Sequence, residues 1–174
     1  MEKKSILQTD FYKNWKEEKI MENADVITAF YEAFARSDAE GMVACYHDGI
    51  KFTDPAFGTL EGKYAKNMWR MLIENGKGNI KIDFKNVTAK NERGSADWVA
   101  EYIFSKTGRK VINRIHAEFE FREGKIFRHV DDFDVWQWSK QALGISGQLL
   151  GWSSFMKKKI QQNANAALQK YMNP

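Results

Sequence analysis

Beyond residue 79 the apolar pattern of this chain changes period, and that change narrows the fold more than any other feature. The run "NIKIDFKNV" alternates Ile80, Ile82 and Phe84 with Lys81, Asp83 and Lys85, the two-residue period of a half-buried strand. Three more strand-like runs follow: "SADWVAEYIFSK", "KVINRIHAEFEFR" and "KIFRHVDDFDVW". The connections "NERG", "TGRK" and "REGK" each hold a glycine and are short enough for hairpins, so the four runs form an antiparallel meander. Ahead of residue 79 the period is that of a helix, with Val26, Ile27, Phe30, Tyr31 and Phe34 on one stripe. Helices first and a meander behind them predict an α+β fold with the helices packed on one face of the sheet.

Finer signals divide the helical part. Ser37 followed by Glu40 has the capping-box spacing and predicts a second helix carrying Met42, Val43 and Tyr46. A short strand around Lys51 to Thr53 then leads to a turn at Asp54. "GKYAKNMWRMLIENG" reads as a third helix with Tyr64, Met68, Met71 and Leu72 as its stripe and Gly76 as its C-terminal cap. The tail, residues 137–174, is helical again, with Phe155, Met156, Ile160, Ala164, Leu168 and Tyr171 on one face. Between the last strand and this face, the apolar, glycine-punctuated "ALGISGQLLGW" either caps a pocket mouth or meets a second subunit.

Composition bounds the class. With 174 residues, 43 % apolar residues and two prolines, the chain suits one globular domain rather than a disordered segment. A single cysteine, Cys45, excludes an internal disulfide and fits a reducing compartment; within an apolar helix it reads as a buried structural thiol. The first twenty residues hold no apolar run of signal-peptide or membrane-span length, so a cytoplasmic protein without a membrane partner is expected. A net charge of +4 is mild, and the one basic cluster, Lys157 to Lys159, reads as a solvated helix face or as a polyanion patch. No nucleic-acid motif accompanies it, and no nucleic-acid partner is expected.

Two strings carry a resemblance: "YEAFARSDAEGMVACYHDGIKFTDPAFGTLEG" and "FEFREGKIFRHVDDFD". With the helix-helix start and the meander, they resemble the NTF2-like superfamily, more narrowly its SnoaL-like and ketosteroid isomerase-like branch. The resemblance covers roughly residues 22–140. Residues 1–21 stand as an N-terminal extension and 141–174 as a C-terminal helical extension of the same domain. It implies a cone made by a curved sheet, helices closing an apolar pocket, and a homodimer formed through the sheet. Asp54, eight residues after Tyr46 and directly before Pro55, matches the isomerase general base. The isomerase's oxyanion donors fall on Phe30 and on or beside Ala117, so a steroid isomerase is not expected. Tyr31 is adjacent to the first position, but one helical step turns a side chain by about 100°. SnoaL-like cyclases and limonene epoxide hydrolases carry a pocket aspartate on the last strand, and Asp131 matches it. The hydrolases' Arg-x-Asp pair has no counterpart in "SADWVAEYIFSK", which offers Asp97 and Glu101 without an arginine.

Strand alternation sorts the remaining candidates. In "RHVDDFD" it sets His129, Asp131 and Phe133 on one face and Arg128, Val130, Asp132 and Asp134 on the other. Asn113 shares parity with Ile115, Ala117 and Phe119, where its amide can donate to a substrate carbonyl. Each sharp reading has a plain rival. Asp54 is either a proton carrier or a turn cap, since Asp-Pro favours turns. His129 is an acid or base or a pocket-wall residue, and Asp131 is a site carboxylate or a partner of Arg128, Arg114 or nearby lysines. His116 has the wrong parity to join His129 and Asp131 around a metal, and no metal or cofactor is expected. Trp69, Trp98, Trp136, Trp138 and Trp152 read as core or lid packing that makes an aromatic pocket.

Two functions fit. The first is a cofactor-independent isomerase, cyclase or hydrolase acting on a small apolar carbonyl-type compound. Asp54, His129 and Asp131 would be catalytic, with Phe30, Trp69, Trp98, Asn113, Ala117, Phe119 and Phe133 around the ligand. The second is a non-catalytic ligand-binding or protein-interaction module built on the same cone. An assembly role for the apolar tail segment is a third reading.

Overall fold

A computed structural model describes residues 22–76, 78–145, 147 and 153–173. Helix α1 (Asn23–Ala35) buries Val26, Ile27, Phe30, Tyr31 and Phe34, the stripe that their spacing predicts. A short helix α2 (Ala39–Ala44) leads into strands β1 (Tyr46–Asp54) and β2 (Gly58–Glu61), and helix α3 (Lys63–Gly76) follows. Strands β3 (Lys81–Lys90), β4 (Arg93–Phe104), β5 (Arg109–Arg122) and β6 (Lys125–Asp132) come next, then helices α4 (Val135–Leu143) and α5 (Ser154–Met172).

The strands form one sheet in the order β2-β1-β6-β5-β4-β3. The meander from β3 to β6 is antiparallel throughout, as expected. At the β5–β6 hairpin Arg122 pairs with Lys125, and the two residues between them, Glu123 and Gly124, both take a positive φ. Such a turn matches the twist of the flanking strands. Strand β1 joins the meander by pairing in parallel with β6. In that register Phe52 lies beside His129 and Thr53 beside Val130, so one further step brings Asp54 level with Asp131. Helix α1 lies across the inner face, and its apolar stripe packs with the inward residues of β3 to β6 into one core. No helix among the described residues is long and apolar enough to cross a membrane.

Several local readings change. Helix α2 stops at Ala44, and Tyr46 opens a nine-residue strand instead of ending a helix. The pairing that makes it a strand, with Ile126 eighty residues away, leaves no local trace. Asp38, not Ser37, caps α2: its Oδ1 accepts from the Gly41 amide at 2.8 Å, while Ser37 takes a positive φ of 57°. Strand β2 was not expected; four residues are too few for a period to register. On α3 the buried stripe is Ala65, Met68, Trp69 and Met71, and Tyr64 is exposed. The last strand ends at Asp132 rather than running on to Trp136, because Asp134 caps α4 by accepting from the amides of Trp136 (2.9 Å) and Gln137 (3.0 Å). In α5 the predicted stripe holds except at its first residue: Met156, Ile160 and Ala164 are half-buried, Leu168 is buried and Tyr171 packs on the core, whereas Phe155 is exposed. Most of "ALGISGQLLGW", with Trp152, lies outside the described residues.

Candidate functional site

The inner face of β6 carries His129 and Asp131, both buried, with Arg128 and Asp132 turned outward. Their neighbours across the sheet are equally defined. Phe119 pairs with His129 and Ala117 with Asp131 on β5, and Phe52 pairs with His129 on β1. Five aromatic side chains surround the imidazole: ring centroids lie 4.5 Å away for Phe119, 5.2 Å for Phe52, 5.4 Å for Phe30, 6.1 Å for Tyr46 and 6.2 Å for Trp69.

A chain of hydrogen bonds runs through this aromatic interior. Trp69 Nε1 donates to the Tyr46 hydroxyl at 2.7 Å, and that hydroxyl meets His129 Nδ1 at 2.8 Å. His129 Nε2 lies 3.0 Å from Asp131 Oδ1, and Trp98 Nε1 donates to the same oxygen at 3.1 Å. Indole nitrogens only donate, so Tyr46 accepts from Trp69 at one end and Asp131 accepts from Trp98 at the other. With the Tyr46 proton given to Nδ1, the imidazole carries its own proton on Nε2 and donates to Asp131, and two N–H groups converge on Oδ1 of one carboxylate. The second carboxylate oxygen has no hydrogen-bond donor among the described residues.

Asp54 arrives from the other side. It ends β1, and its Oδ1 accepts from the Phe57 amide, with Ala56 also donating, so it does cap the turn into β2. It is also half-buried, and burial pushes its carboxyl up to about 7, with the negative charge of Asp131 adding in the same direction and the two amides opposing. The turn reading and the titrating-group reading of Asp54 are thus both parts of one geometry.

The other candidates fall around this axis. Phe30, Trp69, Trp98, Ala117 and Phe119 are buried, and Phe133 packs on the core at the end of β6. Asn113 is half-buried on the inner face of β5, near the end that α4 covers. There Gln141 takes over the ladder that β6 has left: its amide accepts from the Ile112 N–H at 2.8 Å and donates to the Ile112 carbonyl at 3.1 Å. On β4 the inward residues are Ala96, Trp98 and Ala100; Asp97 faces His116 at 2.7 Å and Glu101 faces Lys110 at 2.6 Å on the outer side. Asp131 does not pair with an arginine: Arg128 meets Glu120 instead, at 3.2 Å. Cys45 is half-buried and donates to the Gly41 carbonyl, and burial pushes its thiol up to about 11. A groove of about 550 Å³ is lined by Lys90, Arg93, His116, Glu118, Phe119 and Arg128 among others.

The sequence reading sets Trp69 and Trp98 around the ligand and Tyr46 on a helix stripe; it does not reveal that the three join His129 and Asp131 in one hydrogen-bonded network with an indole N–H at each end. Tyr31 stands apart from that network. It is fully buried between Phe84, Phe30 and Trp98, and its hydroxyl has no hydrogen-bond partner among the described residues. Burial raises its pKa well above the usual phenol value, and the charge of Asp131 contributes.

A curved sheet wrapped around a helix, with the end of β1 delivered to the last strand of a meander, is the NTF2-like architecture. Residues 27–129 match the model of the SnoaL-like domain, and the chain belongs to that family. Among solved structures it is similar to TerC co-crystallised with polyporic acid, with a TM-score of 0.61 and 19 % identity over 70 % of this chain and 98 % of TerC. A Xanthomonas campestris protein assigned as a polyketide cyclase gives a TM-score of 0.57 and 20 % identity over 69 % of this chain and 96 % of its own. An LEH-like epoxide hydrolase of M. tuberculosis gives 0.55 and 19 % over 74 % and 95 %. At these identities the likeness is one of fold. No curated protein matches the chain in sequence.

Proposed function

We propose that the chain is a cofactor-independent acid–base enzyme acting on a small apolar compound with a carbonyl group, with Asp54 as the proton carrier and Asp131 as the second acid–base carboxylate. The observation that carries this reading is the pair itself. Asp54 titrates at about 7 because burial disfavours its charged form, and it lies one strand away from a carboxylate held by two N–H donors. A group that titrates near the working pH both takes and returns a proton efficiently. In this reading Asp54 takes the proton from a carbon beside the carbonyl and returns it at another atom. Side chains alone move that proton, so no cofactor enters the step.

His129 is then a positioning residue. Both of its nitrogens are engaged, so it acts by orienting Asp131 and keeping the unbonded carboxylate oxygen turned toward the ligand. Asn113 supplies a polar contact to the carbonyl, and Phe133 and Trp98 supply apolar walls. Epoxide opening is disfavoured because Asp97 and Glu101 face outward and no arginine stands beside Asp131.

Deuterium incorporation beside the carbonyl of cyclic enones and aryl ketones in D₂O tests the proposal. The full chain is expected to catalyse exchange, and Asp54→Asn or Asp131→Asn to slow it about a hundredfold or more, the usual contribution of an acid–base group. Asparagine keeps an oxygen for the N–H donors at both positions, so the fold is expected to survive. Exchange at the wild-type rate in both variants sinks the reading. Tight ligand binding with no exchange in any form favours a binding module instead.

A further inference from the structure

We propose that Gln161 and Asn165 of α5 are positioning residues for Asp54, their amides locking the turn that carries it. This rests on the reading of Asp54 as the proton carrier. Helix α5 lies beyond the matched SnoaL-like region, which ends at residue 129. The similar structures described above are themselves covered at 95 % or more, while at most 74 % of this chain is covered. The helix is nonetheless wired into the site.

Gln161 Nε2 donates to the Pro55 carbonyl at 3.2 Å, and Asn165 Nδ2 donates to the Phe57 carbonyl at 2.8 Å. The same Asn165 nitrogen donates to the Gln161 carbonyl at 2.8 Å, so both of its hydrogens are placed and its orientation is fixed. Gln161, Asn165 and the fully buried Leu168 recur at i, i+4 and i+7, one face of the helix. Leu168 anchors that face in the core and the two amides reach the turn. Gly58 completes the fit. Its φ of 74° favours glycine, and the Gln161 side chain lies 3.8 Å from where a Cβ would begin.

The consequence for Asp54 is mechanical. Its carboxylate accepts from the amides of Phe57 and Ala56, and α5 holds the carbonyls of Pro55 and Phe57 on the same short turn. Four residues are thus clasped from both sides, by Asp54 within and by α5 from without. Release of the outer clasp lets the turn open and water reach the carboxyl. Desolvation is what holds the carboxyl above its ordinary range, so hydration should lower it.

The test is a carbon-detected NMR titration of Asp54 in the full chain, wild type against Gln161→Ala/Asn165→Ala. Exchange of the Phe57 amide is read alongside. Gln162→Ala and Asn163→Ala, both exposed on the same helix, serve as controls. In the double variant the Asp54 midpoint is expected to fall from about 7 toward the ordinary aspartate value of about 3.9. Phe57 exchange should accelerate about tenfold, and the controls should match wild type. If the double variant fails to fold, Asn165→Ala alone is read in the same way. A midpoint near 7 that survives the substitution, with unchanged Phe57 exchange, overturns the positioning role and leaves the proton-carrier reading intact. A wild-type midpoint near 4 overturns both.

Discussion

Individual side chains divide into those whose role follows from local parity and those whose role exists only in three dimensions. His129 and Asp131 belong to the first kind: alternation along seven residues puts both on one face, the resemblance at Gly124-Lys125-Ile126 implies that this face is the inner one, and both are buried. Tyr46, Trp69 and Trp98 belong to the second, because their partners lie 23 to 83 residues away and an aromatic side chain in sequence looks the same whether it packs or donates. Tyr31 is the residue with most to say about stability. Its ring packs well, but its hydroxyl is buried without a partner among the described residues, and an orphaned buried donor costs roughly 1–3 kcal/mol. Tyr31→Phe keeps every ring contact and removes that cost. The expected outcome is a protein more stable by about 1 kcal/mol, melting about 2–4 °C higher. A destabilised variant in urea titration would show that the hydroxyl has a partner after all.

Elements were legible where they are long and periodic. Helix α1 and strands β3 to β5 follow their apolar patterns, and the hairpins fall at the predicted glycine-bearing links. What escaped was short or cooperative: β2 has four residues, and of β1 only the stretch around Lys51 to Thr53 was legible, while its opening at Tyr46 pairs with Ile126 far along the chain. The boundary between β6 and α4 shows how one residue decides the matter. Asp134 satisfies two amides of the first helical turn, and α4 then folds back along β5, where Gln141 replaces the missing strand partner of Ile112. Thr107 and Arg109 fasten the other end by donating to the carbonyls of Ala142 and Gln141. Asp134→Ala should therefore cost about 1 kcal/mol in global stability, the usual worth of an N-cap. It should also speed exchange at the Ile112 amide, because the helix carrying its acceptor frays. Ile112 exchange at the wild-type rate would mean that the cap does not govern this edge.

At the scale of the whole molecule, a carboxyl held near neutrality must leave a mark on stability. Below about pH 4 Asp54 is protonated in both the folded and the unfolded chain, and above about pH 7 it is ionised in both. Between those limits the folded chain binds the extra proton, so stability falls as pH rises through the window. A separation of about three pH units corresponds to a loss of up to about 4 kcal/mol across it. The direction is opposite to that of a salt-bridged aspartate, which strengthens the fold as it ionises. Asp54→Asn keeps the oxygen that accepts from Phe57 but never acquires the charge. The variant should match wild type near pH 4 and become progressively more stable than it toward pH 8, by up to the same amount, in urea unfolding at both pH values. Parallel stability curves would mean that Asp54 ionises in water as an ordinary turn residue does. A diverging pair would identify a carboxyl that weakens its own fold at neutral pH. A residue retained only to cap a turn has no such requirement, since asparagine caps it as well; a residue that must gain and lose a proton does.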